Sequence, residues 1–149
     1  MSNKQFAIEL HGDKALMRAM KVLPDKVYNK VVKQAVNQAA TPIRKAIEKA
    51  APIGPTGNLR SHIIKKTKIY KKAATVITVV GGQYKRKKDE EGSANHAHLV
   101  EFGHGGPKPA PPHPFMRPAF EANKGKAEAK LRRAIGKGVE REAAKLNRK

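Results

Sequence analysis

HLVEFGHGGPKPAPPHPFMRPAF, residues 98–120, holds six of the chain's ten prolines, yet it opens and closes on apolar residues. Proline at this density suits a disordered linker. The histidines and Glu101 suit a metal-binding or catalytic loop. The apolar ends suit a third reading, a stiff tie between two packed elements, because each proline holds φ near −65° and removes a donor. The elements on either side decide among the three.

Downstream, residues 117–149 place Phe120, Ala127, Leu131, Ile135, Val139, Ala143 and Leu146 along one helical stripe. Gly125, Gly136 and Gly138 each weaken that helix by about 1 kcal/mol relative to Ala, so its stability must come from packing. Upstream, HAHLVEF (96–102) reads as a third strand or a short helical turn. Before it, 59–70 and the TVITVV-bearing 74–80 read as strands joined through Lys71-Lys72. YKRKKDEEGSAN (84–95) is charged and poor in apolar residues, a mobile loop that is expected to order only on assembly. The turn cluster APIGPTGNLRS (51–61) separates this half from a helical one.

In that helical half, Asp25 follows Pro24 as an N-cap, and Tyr28, Val32, Ala35, Ala39, Ile43 and Ile47 recur at spacings of three and four. Thr41-Pro42 interrupts the run and predicts a kink or a fresh start with Thr41 as cap. A shorter helix around 14–22 precedes it. The order predicts one α+β domain over 1–149, with helices on one side of an antiparallel sheet of three to four strands. Its parts are a helical segment (1–50), a sheet with a mobile loop at 84–95 (51–103), a Pro-rich crossing (104–118) and a C-terminal helix (119–149).

At 149 residues the chain is long enough to bury a core. With aromatics at 5% and no Trp, that core must be built from Ala, Val, Ile and Leu. No apolar run approaches membrane-spanning length, so no membrane span is expected. No apolar stretch with a cleavage site opens the chain, so no signal peptide is expected. Without cysteine there is no disulfide framework, thiolate zinc site or Cys nucleophile. The net charge of +20 favours polyanions: nucleic acid, acidic protein surfaces or anionic lipid.

His96, His98, His104 and His113 fall within eighteen residues. A metal would need three or four converging ligands with supporting partners. Neither HExxH spacing nor a cysteine is present, so surface and turn histidines are the default. Glu101 stands as a lone candidate base without a partner. Ser61 and His62 are neighbours whose side chains diverge in a strand, and the glycines of APIGPTG lack the phosphate-loop pattern. No catalytic constellation emerges, and neither enzyme activity nor a cofactor is expected.

Nucleic-acid contact has more support. Lys65, Lys66, Lys68, Lys71, Lys72, Lys85, Arg86, Lys87 and Lys88 put nine positive charges on the hairpin and loop with no acid among them. Such a surface tracks phosphate, or simply solvates an edge hairpin and deters strand pairing. Stacking aromatics are few, Tyr70 and Tyr84 alone, so non-specific contact is the reading and base-specific recognition is not.

Three pieces together resemble a family of tailed-bacteriophage neck proteins, the head–tail joining or tail-completion (minor tail component) proteins of lambdoid siphophages. They are Ala51-Pro52 followed by Thr56-Gly57-Asn58-Leu59-Arg60, then Val100-Glu101-Phe102-Gly103, then His113-Pro114-Phe115-Met116-Arg117-Pro118-Ala119-Phe120. They cover nearly the whole chain in order. His104 departs from the threonine common in the family at that place. The resemblance implies a structural virion protein at the neck, assembled in the host cytoplasm as a homo-oligomeric ring. The ring would join the DNA-filled head to the tail, between head-completion or connector proteins and the tail terminator, with possible non-specific contact with double-stranded DNA. A ring sums the charge of its copies, so DNA or acidic partners must compensate it.

On this reading Thr56-Gly57 makes a tight turn that sends Leu59 into the core and Arg60 toward a neighbour. Phe102, Phe115, Met116 and Phe120 anchor the Pro-rich segment, each contributing about 1.5–3 kcal/mol if fully buried. Arg117 suits a bidentate pair with Glu101 or Glu121. Packing within the chain is the alternative use of the same residues. The alternative function is a small basic protein that binds nucleic acid non-specifically, its hairpin and its C-terminal helix, with ten positive and three negative charges from Lys124 onward, tracking phosphate.

Overall fold

The computed structural model describes residues 24–54, 57–70, 75–84 and 94–146, together with Lys14, Arg18 and Met20. Most of the expected 14–22 helix, the Lys71-Lys72 connection, Thr56 and the loop cations Lys85, Arg86, Lys87 and Lys88 lie outside the described residues.

Helix α1 spans Asp25–Ala50. Asp25 does not cap it. Pro24 holds the cap position, its carbonyl accepting from Val27 N at 2.8 Å and Tyr28 N at 2.9 Å. Asp25 sits in the first turn, where a carboxylate complements the helix dipole. The expected break at Pro42 is also absent: the helix runs through it. Val31, Ala35, Ala39, Ala40, Ile43 and Ile47 are buried on both sides of the proline. Burial along that face outweighs one lost hydrogen bond. Nearby, Lys65 Nζ donates to Asn37 O at 2.8 Å and Thr41 Oγ1 at 2.7 Å, tying this turn of the helix to the sheet.

A four-residue helix, α2 (Asn58–Ser61), follows Gly57 at φ 65°. Leu59 is buried as the turn predicts, but it belongs to this helix and the strand starts later. Strand β1 (Ile63–Tyr70) pairs antiparallel with β2 (Thr75–Gly82), Ile63 opposite Gly82 and Tyr70 opposite Thr75. Alternation turns Ile63, Lys65, Thr67 and Ile69 toward α1, and Thr67 and Thr78 share a cross-strand hydrogen bond of 2.7 Å. The opposite face leaves Lys66, Lys68, Tyr70, Ile77 and Val79 exposed.

The described sheet has two strands, not three to four. Of the two readings of 96–102, third strand or short helical turn, the structure takes the helical one: helix α3, Ala97–Phe102. Helical spacing puts Ala97 and Glu101, four apart, on one inward face, and both are buried. A strand would have put Leu99 on that face as well, whereas Leu99 is exposed.

Helix α4, Met116–Leu146, packs antiparallel on α1. At one end Val31 meets Gly138. At the other, Ile43 and Ile47 cluster with Leu59, Ile63, Ala97, Phe115, Ala119 and Ala127. A second cluster joins Met20, Ala35 and Ile135. A Cβ on Gly138 would stand 2.6 Å from Val31 Cγ1, so that glycine sets how closely the helices approach. Of the expected stripe, Ala143 is exposed and Glu142 is turned inward in its place. Four successive steps of four from Ala127 to Ala143 turn the expected stripe by about 160° on a straight helix, whereas Glu142, seven after Ile135, stays within about 20° of that residue.

Candidate docking site

The Pro-rich crossing is held at both ends by its own backbone. His104 N donates to Ala110 O and Ala110 N to His104 O, each at 3.0 Å, closing a loop. His113 N donates to Val100 O at 2.8 Å. Gly103 leads into the loop at φ 70°, ψ 173°, a conformation essentially confined to glycine. A Cβ there would lie 2.8 Å from both Ala110 O and Pro112 N. Residues 104–114 are nonetheless all exposed. The segment is ordered without being buried.

Glu101 is the tie that joins this loop to α4. Its carboxylate accepts from Phe115 N at 2.7 Å, Met116 N at 2.8 Å and Arg117 N at 3.1 Å. A helix leaves its first N–H groups without intrahelical partners, and a buried anion from a distant element satisfies three of them here. Glu101 is only 5% exposed, and these charge-assisted bonds account for its burial.

Arg117 therefore does not form the expected bidentate pair through its guanidinium. Its backbone N–H meets Glu101, its side chain is exposed, and Glu121 pairs with Lys124 at 2.6 Å. Phe115 is buried, Met116 and Phe120 are half-buried, and Phe102 is 73% exposed. The expected burial of Phe102 fails because adjacent helical residues point about 100° apart, so turning Glu101 inward turns Phe102 out. Exposed Tyr84, His98, Phe102 and half-buried Met116 line an open apolar cleft over Ala94 and Ala97. The part of Tyr84 and His98 in this cleft is not visible in the sequence; an aromatic residue on each side of a polar loop was the available signal.

Arg60 folds back on α1. Its Nε and Nη2 donate to Ala51 O at 3.2 and 3.0 Å and Nη2 to Lys49 O at 3.0 Å, satisfying carbonyls at the helix end. Lys65 also points inward. Burial, with Arg44 and Lys130 nearby, lowers its ammonium below the ordinary lysine value. Only Lys66 and Lys68 of the described hairpin cations face solvent beside Tyr70, Ile77 and Val79. His96, His98, His104 and His113 are all exposed.

A two-stranded hairpin laid on a long helix, followed by α3 and its Glu-Phe-Gly end, is the part of the molecule that a known family shares. The model of the family described as "Bacteriophage HK97-gp10, putative tail-component" matches residues 14–103, more than half of the chain. The chain belongs to this HK97 gp10-like family. The match ends at Gly103, so it includes Glu101 and Phe102, while the exposed loop and α4 lie beyond it. No curated protein and no solved structure matches the chain.

Proposed function

We propose that this HK97 gp10-like chain is a head–tail connector or tail-completion component. It oligomerises in a ring at the virion neck, joins the DNA-filled head to the tail and catalyses no reaction. The observation that carries the reading is the exposed, internally braced segment 104–114 beside the outward Phe102. A segment ordered before contact loses less conformational entropy when it docks, so its prolines and its two backbone ties favour association. Aromatic and Arg side chains are enriched at protein interfaces, and Phe102 and Arg117 stand at the two ends of this segment. Its partners are neighbouring copies and the head-completion and tail-terminator proteins above and below, with assembly in the host cytoplasm.

Phe102→Ala and Arg117→Ala test the reading, because both side chains are exposed and their loss leaves the core intact. The expected outcome is folded protein, normal heads and tails, and unjoined particles. Wild-type yields of infectious virions from both variants would refute it.

A further inference from the structure

Lys126, Lys130, Arg133 and Lys137 recur along α4 at spacings of four, three and four, and all four are exposed. At 100° per residue they fall within an arc of about 60°, opposite the Leu131–Ile135–Glu142 side that packs inward. The acids nearest to them are engaged elsewhere. Glu121 pairs with Lys124, Glu128 with Arg132, and Glu142 with Arg141 and Lys145. Among the described residues the four stripe cations have no carboxylate partner, and Glu140 is the acid that bounds the stripe toward the C-terminus. Lys130 also adds to the positive field at Lys65 between α1 and the hairpin.

We propose that this face of α4 is a phosphate-tracking site for double-stranded nucleic acid. The stripe covers about 16 Å of helix axis, and about ten phosphate charges of a duplex lie along that distance. Gly125, Ala129 and Gly136 flank it, so the face offers charge without an apolar anchor. Protein interfaces deplete lysine and build on buried aromatic or aliphatic anchors, whereas phosphate contact needs charge alone. The hairpin's outer face has the opposite character. Lys66 and Lys68 stand there among Tyr70, Ile77 and Val79, a composition suited to a protein partner. Of the hairpin and the C-terminal helix, both basic in sequence, the helix is therefore the one that takes the nucleic-acid contact.

The test is fluorescence anisotropy of the full chain on a short random-sequence DNA duplex across a salt series. Replacing Lys126, Lys130, Arg133 and Lys137 together with Gln keeps good helix formers at exposed positions. This variant is expected to lower the slope of log affinity against log salt by about 3.5. A charge-matched control replaces exposed Lys45, Lys49, Lys66 and Lys68 with Gln and is expected to change the slope by about 1 or less. Equal losses in the two variants would show that the charge acts diffusely and would overturn the site. An unchanged slope in the stripe variant would overturn it too, as would poly-glutamate displacing the duplex at equal charge, which would mark an acidic protein as the partner. None of these readouts depends on virion assembly, so the site and the neck role stand or fall separately.

Discussion

Glu101 Oε2 accepts the backbone N–H of Phe115 at 2.7 Å across fourteen residues of chain. That bond makes the Pro-rich segment a closed, braced loop, because a residue in the last turn of α3 also caps the start of α4. The fold of the segment depends on one buried carboxylate, and so does the direction in which Phe102 faces.

Glu101→Ala leaves three N–H groups without their acceptor in a largely buried setting, and is expected to cost about 1–3 kcal/mol. Urea unfolding reads the loss, and limited proteolysis within 104–114 reads the loosened loop. Glu101→Gln retains one carbonyl acceptor and should fall between the two. Equal midpoints for wild type and Glu101→Ala would remove the brace from the account.

Gly103 and Gly105 stand two residues apart and should respond oppositely to Ala. At Gly103 the new Cβ meets Ala110 O and Pro112 N at 2.8 Å on a positive-φ backbone, and a loss of about 1–3 kcal/mol is expected. At Gly105 nothing lies within 4 Å, and the change is expected to be neutral or slightly stabilising through the unfolded chain. Thermal unfolding of the pair checks the contrast.

The same logic separates two glycines of α4. Gly136→Ala enters open space and should gain about 1 kcal/mol of helix propensity. Gly138→Ala drives a methyl group to within 2.6 Å of Val31 Cγ1, and a net loss of about 1–3 kcal/mol is expected from overpacking. A gain at both positions would mean that α1 and α4 do not approach there as described.

Glu142 supplies a pH signature. A hydrogen bond from Lys145, reinforced by the charges of Lys145 and Lys30 and by a bond from Arg141, holds its carboxyl below the ordinary 4.5. A depressed carboxyl contributes stability above its unfolded value and loses it as pH falls through the folded one. The midpoint difference between wild type and Glu142→Gln should thus be complete above pH 4.5 and close below it. A difference independent of pH would assign the effect to packing.

Much of the architecture was legible in the chain. The three-and-four spacing from Tyr28 to Ile47, the β-branched run before Gly81 and the Phe120–Val139 stripe each encode an element by local periodicity. The turn at Gly57 and the burial of Leu59 were equally readable. What misled were residues whose local preference is overruled at a distance. Pro42 signals a break, yet the buried faces on both sides carry the helix through. HAHLVEF leaves strand and helical turn open by its pattern, and the folded chain takes the helix, which buries Ala97 and Glu101 and leaves Leu99 and Phe102 outside. Lys65 counts as a surface charge in composition, yet Asn37 O and Thr41 Oγ1 draw it inward.

By itself the sequence determined the two long helices and the β-branched strand, the strongly cationic character, and the stiffness of 104–114, because these follow from neighbours within a turn or two and from proline's fixed φ. Only the tertiary structure decided that Glu101 is inside and Phe102 outside, that Gly138 admits Val31, and that four α4 cations share one unpaired face. Those outcomes depend on pairings between residues that lie far apart along the chain, and on which side of each element the core leaves uncovered.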